Sequence, residues 1–289
     1  MQLSEKFKWG SECYIMGIVN ATPDSFSGDG IVGAKDTVSK AVAQAGTFLN
    51  DGAHILDVGG ESTKPGAAIV SPNEELDRVV PVITALSKEF PSAVISIDTY
   101  KASVAKAALD AGAHIINDVW GFKADPDMAP LAARYNVPVI LMHNRSKPGH
   151  AEIDARLGGT YIAPNYDNFL DEVKDEMRDI ANNAIKAGVE ARQIILDPGV
   201  GFGKTVQQNM VLINKLDHFK SLGFPQLLGA SRKSFIGKVL DVEADQRLEG
   251  TAATVALGVV RGANIVRVHD VKEMARIVRM TDAMLRAEG

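Results

Sequence analysis

Groups that can bind a proton, a cation or an anion recur in this chain at one kind of place, the far end of a short apolar run. Asn20 closes the first run, Asp57 with Glu61 the second, and then come Asp98, Asn117 with Asp118, His143, Asp197, Ser231 with Lys233, and Arg267 with His269. Each has a bland reading when taken singly. An Asp after a strand commonly caps the next helix, and Asp118 and Asp270 are read that way. His54 and His114 open their runs, at the opposite end, and are read as structural. His143 stays open between a buried, hydrogen-bonded imidazole and a ligand contact. Capping does not explain the set, because a cap does not call for a charged or amide group at the end of every run. Carboxylates and amides that accept from N–H donors, beside ammonium and guanidinium groups that attract anions, make a site for one small polar molecule.

The elements that must position these groups are eight runs rich in Ile, Val and Leu, at 13–20, 54–60, 93–99, 115–119, 138–143, 194–199, 226–231 and 265–269. Such runs suit strands buried on both faces. Helical periodicity fills the gaps. Ser71-Pro72-Asn73-Glu74 predicts a helix start, with Ser71 as cap, Pro72 in the first turn and Glu74 completing a capping box. Leu76, Val79, Val80 and Ile83 follow on one face, and Pro81 is expected to kink or split that helix. Residues 167–187 and 270–288 read as further amphipathic helices, the last with Met274, Ile277, Val278 and Met284 as its apolar stripe. Gly52-Ala53-His54-Ile55, Gly112-Ala113-His114-Ile115 and Gly262-Ala263-Asn264-Ile265 repeat one junction, in which Gly supplies a left-handed helix stop and a strand begins at once. Strand–helix alternation argues for a parallel sheet, and eight units argue for its closure. The expected fold is α/β, a single TIM (β/α)₈ barrel domain over residues 1–289, in which the C-terminal ends of all strands face one site. The irregular stretch 145–166 reads as a functional loop over the mouth.

Composition agrees with this. A chain of 289 residues suits one barrel, and 46% hydrophobic residues permit a large core. A net charge of -5 disfavours nucleic acid as a partner. Met1 to Gly10 lacks the apolar core of a signal peptide, and no apolar run reaches membrane-spanning length, so no membrane association is expected. Cys13 is the one cysteine; it is read as packing, with no internal disulfide, and a cytoplasmic location is expected.

Two loops carry anion-binding character. Asn20-Ala21-Thr22-Pro23-Asp24-Ser25-Phe26-Ser27 and Gly59-Gly60-Glu61-Ser62-Thr63-Lys64-Pro65-Gly66 mix small residues with hydroxyls and charges, which suits backbone approach to an anion. Arg267 and His269 flank Val268 and so point the same way, with a helix beginning at Asp270. Cations beside a helix start near the eighth strand are a common phosphate site of this fold. Gly199-Val200-Gly201-Phe202-Gly203-Lys204-Thr205 looks like a nucleotide P-loop, but Pro198 stands where that spacing needs Gly, and the segment follows a sixth strand. The nucleotide reading is set aside.

Taken in order, the segments 16–27, 57–66, 96–99, 116–118, 196–204, 231–237 and 267–270 closely resemble dihydropteroate synthase, a pterin-binding family of folate biosynthesis. The resemblance implies a transferase that joins para-aminobenzoate to 7,8-dihydropterin-6-ylmethyl diphosphate, releasing pyrophosphate. It implies Mg²⁺ assistance to a dissociative loss of diphosphate, and a homodimer. By the same resemblance Asp98, Asn117, Asp197 and Lys233 match pterin-binding positions, and Arg267 matches a residue that stacks on the pterin while reaching phosphate. Asn20 matches the magnesium and diphosphate position, and His269 a diphosphate contact. Thr63, Phe202 and Ser234 match the para-aminobenzoate side. Asp24, Phe26, Asp29 and Lys64 fall in two loops that close together over substrate in the family. Two departures stand out: Gly28-Asp29-Gly30 where members commonly carry Asp-Gly-Gly, and Lys64 where they commonly carry Arg. Lys64 is expected to meet Asp24 or the displaced Asp29. A methyltransferase of the same superfamily, passing methyl from a reduced folate to a corrinoid, would share Asp98, Asn117 and Asp197 but not need Asn20, Arg267 and His269. A non-catalytic pterin-binding protein is the other alternative.

Overall fold

The computed structural model describes residues 6–22, 34–62, 69–145, 153–154, 160–161 and 165–287. Eight parallel strands form its centre: β1 (Tyr14–Asn20), β2 (Ile55–Gly59), β3 (Val94–Asp98), β4 (Ile115–Asp118), β5 (Val139–Met142), β6 (Ile194–Asp197), β7 (Leu227–Leu228) and β8 (Ile265–Val268). They pair in the order β6-β5-β4-β3-β2-β1-β8-β7. A parallel bridge from Leu196 to Gln226 joins β6 to the β7 run and closes the ring. The surrounding helices are α1 (Ala34–Asp51), α2 (Pro72–Glu89), α3 (Ala102–Asp110), α4 (Met128–Tyr135), α5 (Phe169–Lys186), α6 (Val206–Asn214), α7 (Ser234–Leu240), α8 (Leu248–Val260) and α9 (Val271–Arg286). A short antiparallel pair, Ile153–Asp154 with Thr160–Tyr161, lies within the 145–166 stretch.

The strand period of two sorts the core into separate clusters. Tyr14, Met16, Ile55, Val94, Ile115, Ile140, Ile195, Leu227 and Ile265 fill the lower barrel interior, with Phe7 and Trp9 packed on them at the end where the strands begin. Their strand neighbours, such as Ile15, Leu56, Ile95, Ile116, Leu196 and Val266, face outward into the helix layer. Two residues further along the strands, the same inward alternation reaches Asp57, Ser96, Asn117, Asp197 and Arg267. The barrel thus has an apolar floor and a polar upper layer.

The repeated junction has a physical basis. Gly52, Gly112 and Gly262 adopt φ of +104°, +113° and +96°, as the helix-stop reading requires. The third residue of each repeat then accepts a backbone N–H from the neighbouring strand region. His54 Nδ1 accepts from Ile15 at 3.0 Å, His114 Nδ1 from Ile95 at 3.1 Å, and Asn264 Oδ1 from Gln226 at 2.9 Å. These side chains pin the start of each strand to its neighbour.

Several local expectations are corrected. α2 runs unbroken through Pro81. Pro81 and Asp77, whose carbonyl loses its donor there, both lie on the exposed face, where water can take the missing bond. Ser71 does cap α2, accepting from Glu74 N at 3.2 Å, but the Glu74 carboxylate pairs with Arg78 at 2.5 Å, one turn on, and closes no capping box. In α9, Met274 and Val278 are buried, whereas Met284 is 58% exposed. Asp270 stands at the start of α9 without a side-chain capping bond, because Arg232 draws its carboxylate into an ion pair. Cys13 is a buried free thiol, as read, and burial raises its pKa.

Candidate active site

The polar layer at the strand ends divides into linked groups. β2, β3, β4 and β8 bring the first together. Arg267 donates from Nε to Asp57 Oδ2 and from Nη2 to Asp98 Oδ2, both at 2.6 Å, and Asn117 Nδ2 donates to the same Asp57 oxygen at 3.1 Å. Asp57 is fully buried, and its Oδ1 has no protein partner; neither does the buried hydroxyl of Ser96 beside it. Burial pushes the Asp98 carboxyl up to about 7, against the pull of Arg267 and with the help of the Asp57 charge.

The second group belongs to β6, the loop after it and the turn before α7. Asp197 Oδ1 accepts the Gly199 N–H at 2.7 Å. Lys233 donates to the carbonyl of Val200, and its ammonium lies 4.5 Å from the centre of the Phe202 ring. Burial raises the Asp197 pKa, opposed by Lys233, and brings Lys233 down to about 8, opposed by Asp197. Phe202 packs against a small apolar shelf of Val119, Trp120 and Met142. A third contact links Ser231 and His269, whose Nδ1 and Ser231 Oγ are 3.0 Å apart.

Two inward glycines bring bare backbone up to these groups. A methyl on Gly59 would rest 3.6 Å from Asp98 Cβ, and one on Gly229 would lie 3.9 Å from Asp197 Oδ2 and 4.0 Å from Arg267 Cβ. The mouth therefore combines acceptors at Asp98, Asn117 and Asp197, a donor at Lys233 and an apolar edge at Phe202. That inventory suits a flat heterocycle with a run of N–H donors and a ring carbonyl.

Residues 16–269 match the family of pterin binding enzymes. The chain belongs to that family. Over 275 residues it is 50% identical to the dihydropteroate synthase of Bacillus subtilis, covering 95% of this chain and 90% of that one. It is 48% identical to the dihydropteroate synthase of Clostridium beijerinckii, over 98% of each chain. A crystal structure of the Clostridium difficile dihydropteroate synthase in the presence of pteroic acid superposes with a TM-score of 0.87 at 45% identity, covering 97% of this chain and 100% of that one. The Xanthomonas albilineans dihydropteroate synthase with 4-aminobenzoic acid gives 0.86 at 38% identity, over 96% and 94%. The chain is an enzyme of this type, a transferase, on the TIM barrel that its strand pattern predicts.

Within this pterin-binding fold the expected residues fall as follows. Asp98, Asn117, Asp197, Lys233, Arg267 and Phe202 gather at the mouth, and Asn20 ends the neighbouring strand β1. Arg267 turns across the barrel to the two acids instead of standing free. Ser234 is exposed, as the first residue of α7. Asp24, Phe26, Asp29, Thr63 and Lys64 lie outside the described residues. His143 resolves as structural: it is fully buried, its Nε2 meets Glu176 at 2.9 Å, and burial with the nearby Lys204 charge lowers its pKa to about 4. Asp118 is structural but caps no helix: it closes the turn after β4, accepting from Trp120 N at 2.7 Å and Phe122 N at 3.0 Å, while α4 begins only at Met128, after Asp127. The sequence marks Asp57 as a strand-end acid and no more. Its place as the acceptor shared by Arg267 and Asn117 was legible in principle, since Ile55 and Asp57 share the inward parity.

The P-loop look-alike also finds its explanation. Thr205 is the N-cap of α6, with a reciprocal box: Gln208 N donates to Thr205 Oγ1 at 3.1 Å, and Thr205 N donates to Gln208 Oε1 at 2.8 Å. The helix start is closed by its own side chains instead of lying open to phosphate. Among the described residues no helix is long and apolar enough to cross a membrane, and no three His, Cys, Asp or Glu side chains form a metal-binding group.

Proposed function

We propose that this chain condenses 7,8-dihydropterin-6-ylmethyl diphosphate with para-aminobenzoate, giving 7,8-dihydropteroate and pyrophosphate. The observation that carries the reading is the convergence of Asp98, Asn117, Asp197 and Lys233 on the strand-end layer, with glycines 59 and 229 set against Asp98 and Asp197. In this reading Asp197 accepts the paired N–H donors of the pterin edge; Gly199 occupies part of one oxygen and leaves Oδ2. Asn117 donates and accepts, and Lys233 donates to the ring carbonyl. Arg267 is released from Asp57 or Asp98 to lie over the ring and reach phosphate, a dual role for a flat guanidinium. His269 adds a diphosphate contact. Thr63, Phe202 and Ser234 flank the benzoate.

An amide oxygen is a neutral hard ligand, so Asn20 at the end of β1 fits an ion that takes most of its coordination from diphosphate and water. A Mg²⁺ ion bound there would draw negative charge from the departing diphosphate. The protein's part is to hold the pterin methylene in line and keep water from capturing it as it becomes cationic. The chain is also proposed to act as a homodimer. Leu257 and Val260 of α8 and Met280, Met284 and Leu285 of the adjoining α9 are exposed by 37 to 61%, an unusual run of apolar surface for a monomer.

The test is incubation of the purified chain with both substrates and Mg²⁺, following pyrophosphate and dihydropteroate. Stoichiometric appearance of both products is expected. Pterin binding without turnover would overturn the reading in favour of a binding protein, and methyl transfer from a reduced folate in favour of a methyltransferase.

A further inference from the structure

We propose that Lys204 is a positioning residue, which holds the loop after β6 in the shape that sets Phe202 beside Lys233 and thereby governs the aromatic co-substrate more than the pterin. The proposal rests on the reaction assigned above. Lys204 is 5% exposed, and its ammonium donates to the carbonyls of Gly199 at 2.9 Å, Phe202 at 3.1 Å and His143 at 3.4 Å. An ammonium has three donors, so these contacts use them all within the loop and the end of β5. The loop can wind this way because Gly199, Gly201 and Gly203 take φ of +73°, +84° and +57°. A Cβ on Gly199 would come 2.0 Å from the His143 carbonyl, and one on Gly201 would come 2.5 Å from Lys233 Cδ.

This winding aims alternate carbonyls at different lysines. Those of Gly199 and Phe202 meet Lys204, while that of Val200 meets Lys233. The Phe202 N–H turns back on the Gly199 carbonyl at 3.2 Å, so the two carbonyls gripped by Lys204 bracket the aromatic residue. Asn209 of α6 fastens the same loop, accepting from Gly201 N at 2.6 Å and donating to Thr205 O at 2.9 Å and Lys204 O at 3.3 Å. The Asp197 backbone has a separate anchor, because it belongs to β6 and is registered against Met142 of β5, and its side chain touches the loop only at its root, through the Gly199 N–H. Loosening the loop therefore displaces Phe202 before it displaces Asp197.

The experiment is Lys204→Met, of similar length but without charge or donors, measured by steady-state kinetics and by calorimetry of pterin diphosphate. The KM for para-aminobenzoate should rise about tenfold, as displacement of a positioning group by under an ångström permits, while pterin diphosphate affinity changes by less than about twofold. Amide hydrogen exchange at residues 199–203 should also quicken in the variant. That signal needs no substrate, so a wild-type chain that makes no dihydropteroate would sink the reaction and leave the loop test standing. If Lys204→Met does not fold, Asn209→Ala loosens the same loop at Gly201 and should show the same split at smaller size. An unchanged benzoate KM, equal losses for both substrates, or a loss confined to pterin diphosphate would each overturn the proposal; the last would make Lys204 a phosphate contact.

Discussion

At the residue scale, the site is a case of buried charge kept in place by shared partners. Asp57 is buried among apolar strands and is tolerated because Arg267 and Asn117 donate to it. Asp57→Ala should leave Asn117 Nδ2 and Arg267 Nε without their shared acceptor and lower unfolding stability by about 3 kcal/mol, the low end for breaking a buried pair, because Arg267 keeps Asp98 and 22% side-chain exposure. Denaturant melts check this; a loss below about 1 kcal/mol would mean that water replaces the carboxylate freely. Asp197→Asn tests the pterin reading from the other side of the mouth. An amide keeps one acceptor for Gly199 but sets an N–H against the ligand's donors, at roughly 1–3 kcal/mol for each unpaired group. Pterin affinity and turnover should fall by tenfold or more in a folded protein. Near-wild-type calorimetric binding would remove Asp197 from that role.

At the scale of elements, the strand-opening histidines turn a local repeat into a pH dependence. His54 and His114 accept backbone N–H groups through Nδ1, so each is neutral at that nitrogen in the fold. Burial lowers both pKa values. Arg279 lowers His54 further while Glu12 opposes, and Lys6 adds to the lowering at His114. A depressed folded value means stability that is present above the unfolded pKa of about 6.5 and lost as pH falls through the folded one. Thermal midpoints should therefore drop between pH 7.5 and 5. The third copy of the repeat carries Asn264 in the same role. The double variant His54→Asn, His114→Asn should hold the clamps without a titrating group and show a shallower drop than the parent. Parallel pH curves for the two proteins would assign the acid loss elsewhere, His143 being the next candidate.

At the scale of the molecule, the exposed apolar residues of α8 and α9 carry the expectation of a dimer. Wild-type protein should sediment at twice the chain mass, and Met280→Asp with Met284→Asp should bring it to a monomer that keeps its thermal midpoint within a few degrees. A wild-type monomer at micromolar concentration would refute the dimer. Retention of the dimer in the double variant would move the interface to another face.

Much of the barrel was legible in the residues alone. The strand runs, their order and the left-handed glycine junctions follow from period, branching and turn chemistry, which are local properties. The inward parity of Asp57, Ser96, Asn117, Asp197 and Arg267 is local as well, once the strands are drawn. Tertiary structure decided which groups share partners. No spacing rule joins Arg267 to Asp57 and Asp98 across the barrel, because parity gives a side chain's direction but not its reach. Nor does spacing tell a glycine-rich loop with Lys and Thr that holds a phosphate from one whose lysine turns back on its own carbonyls and whose threonine caps its own helix. The two differ in where backbone carbonyls and amides point, and that is set by the wall of β5 against which the loop packs.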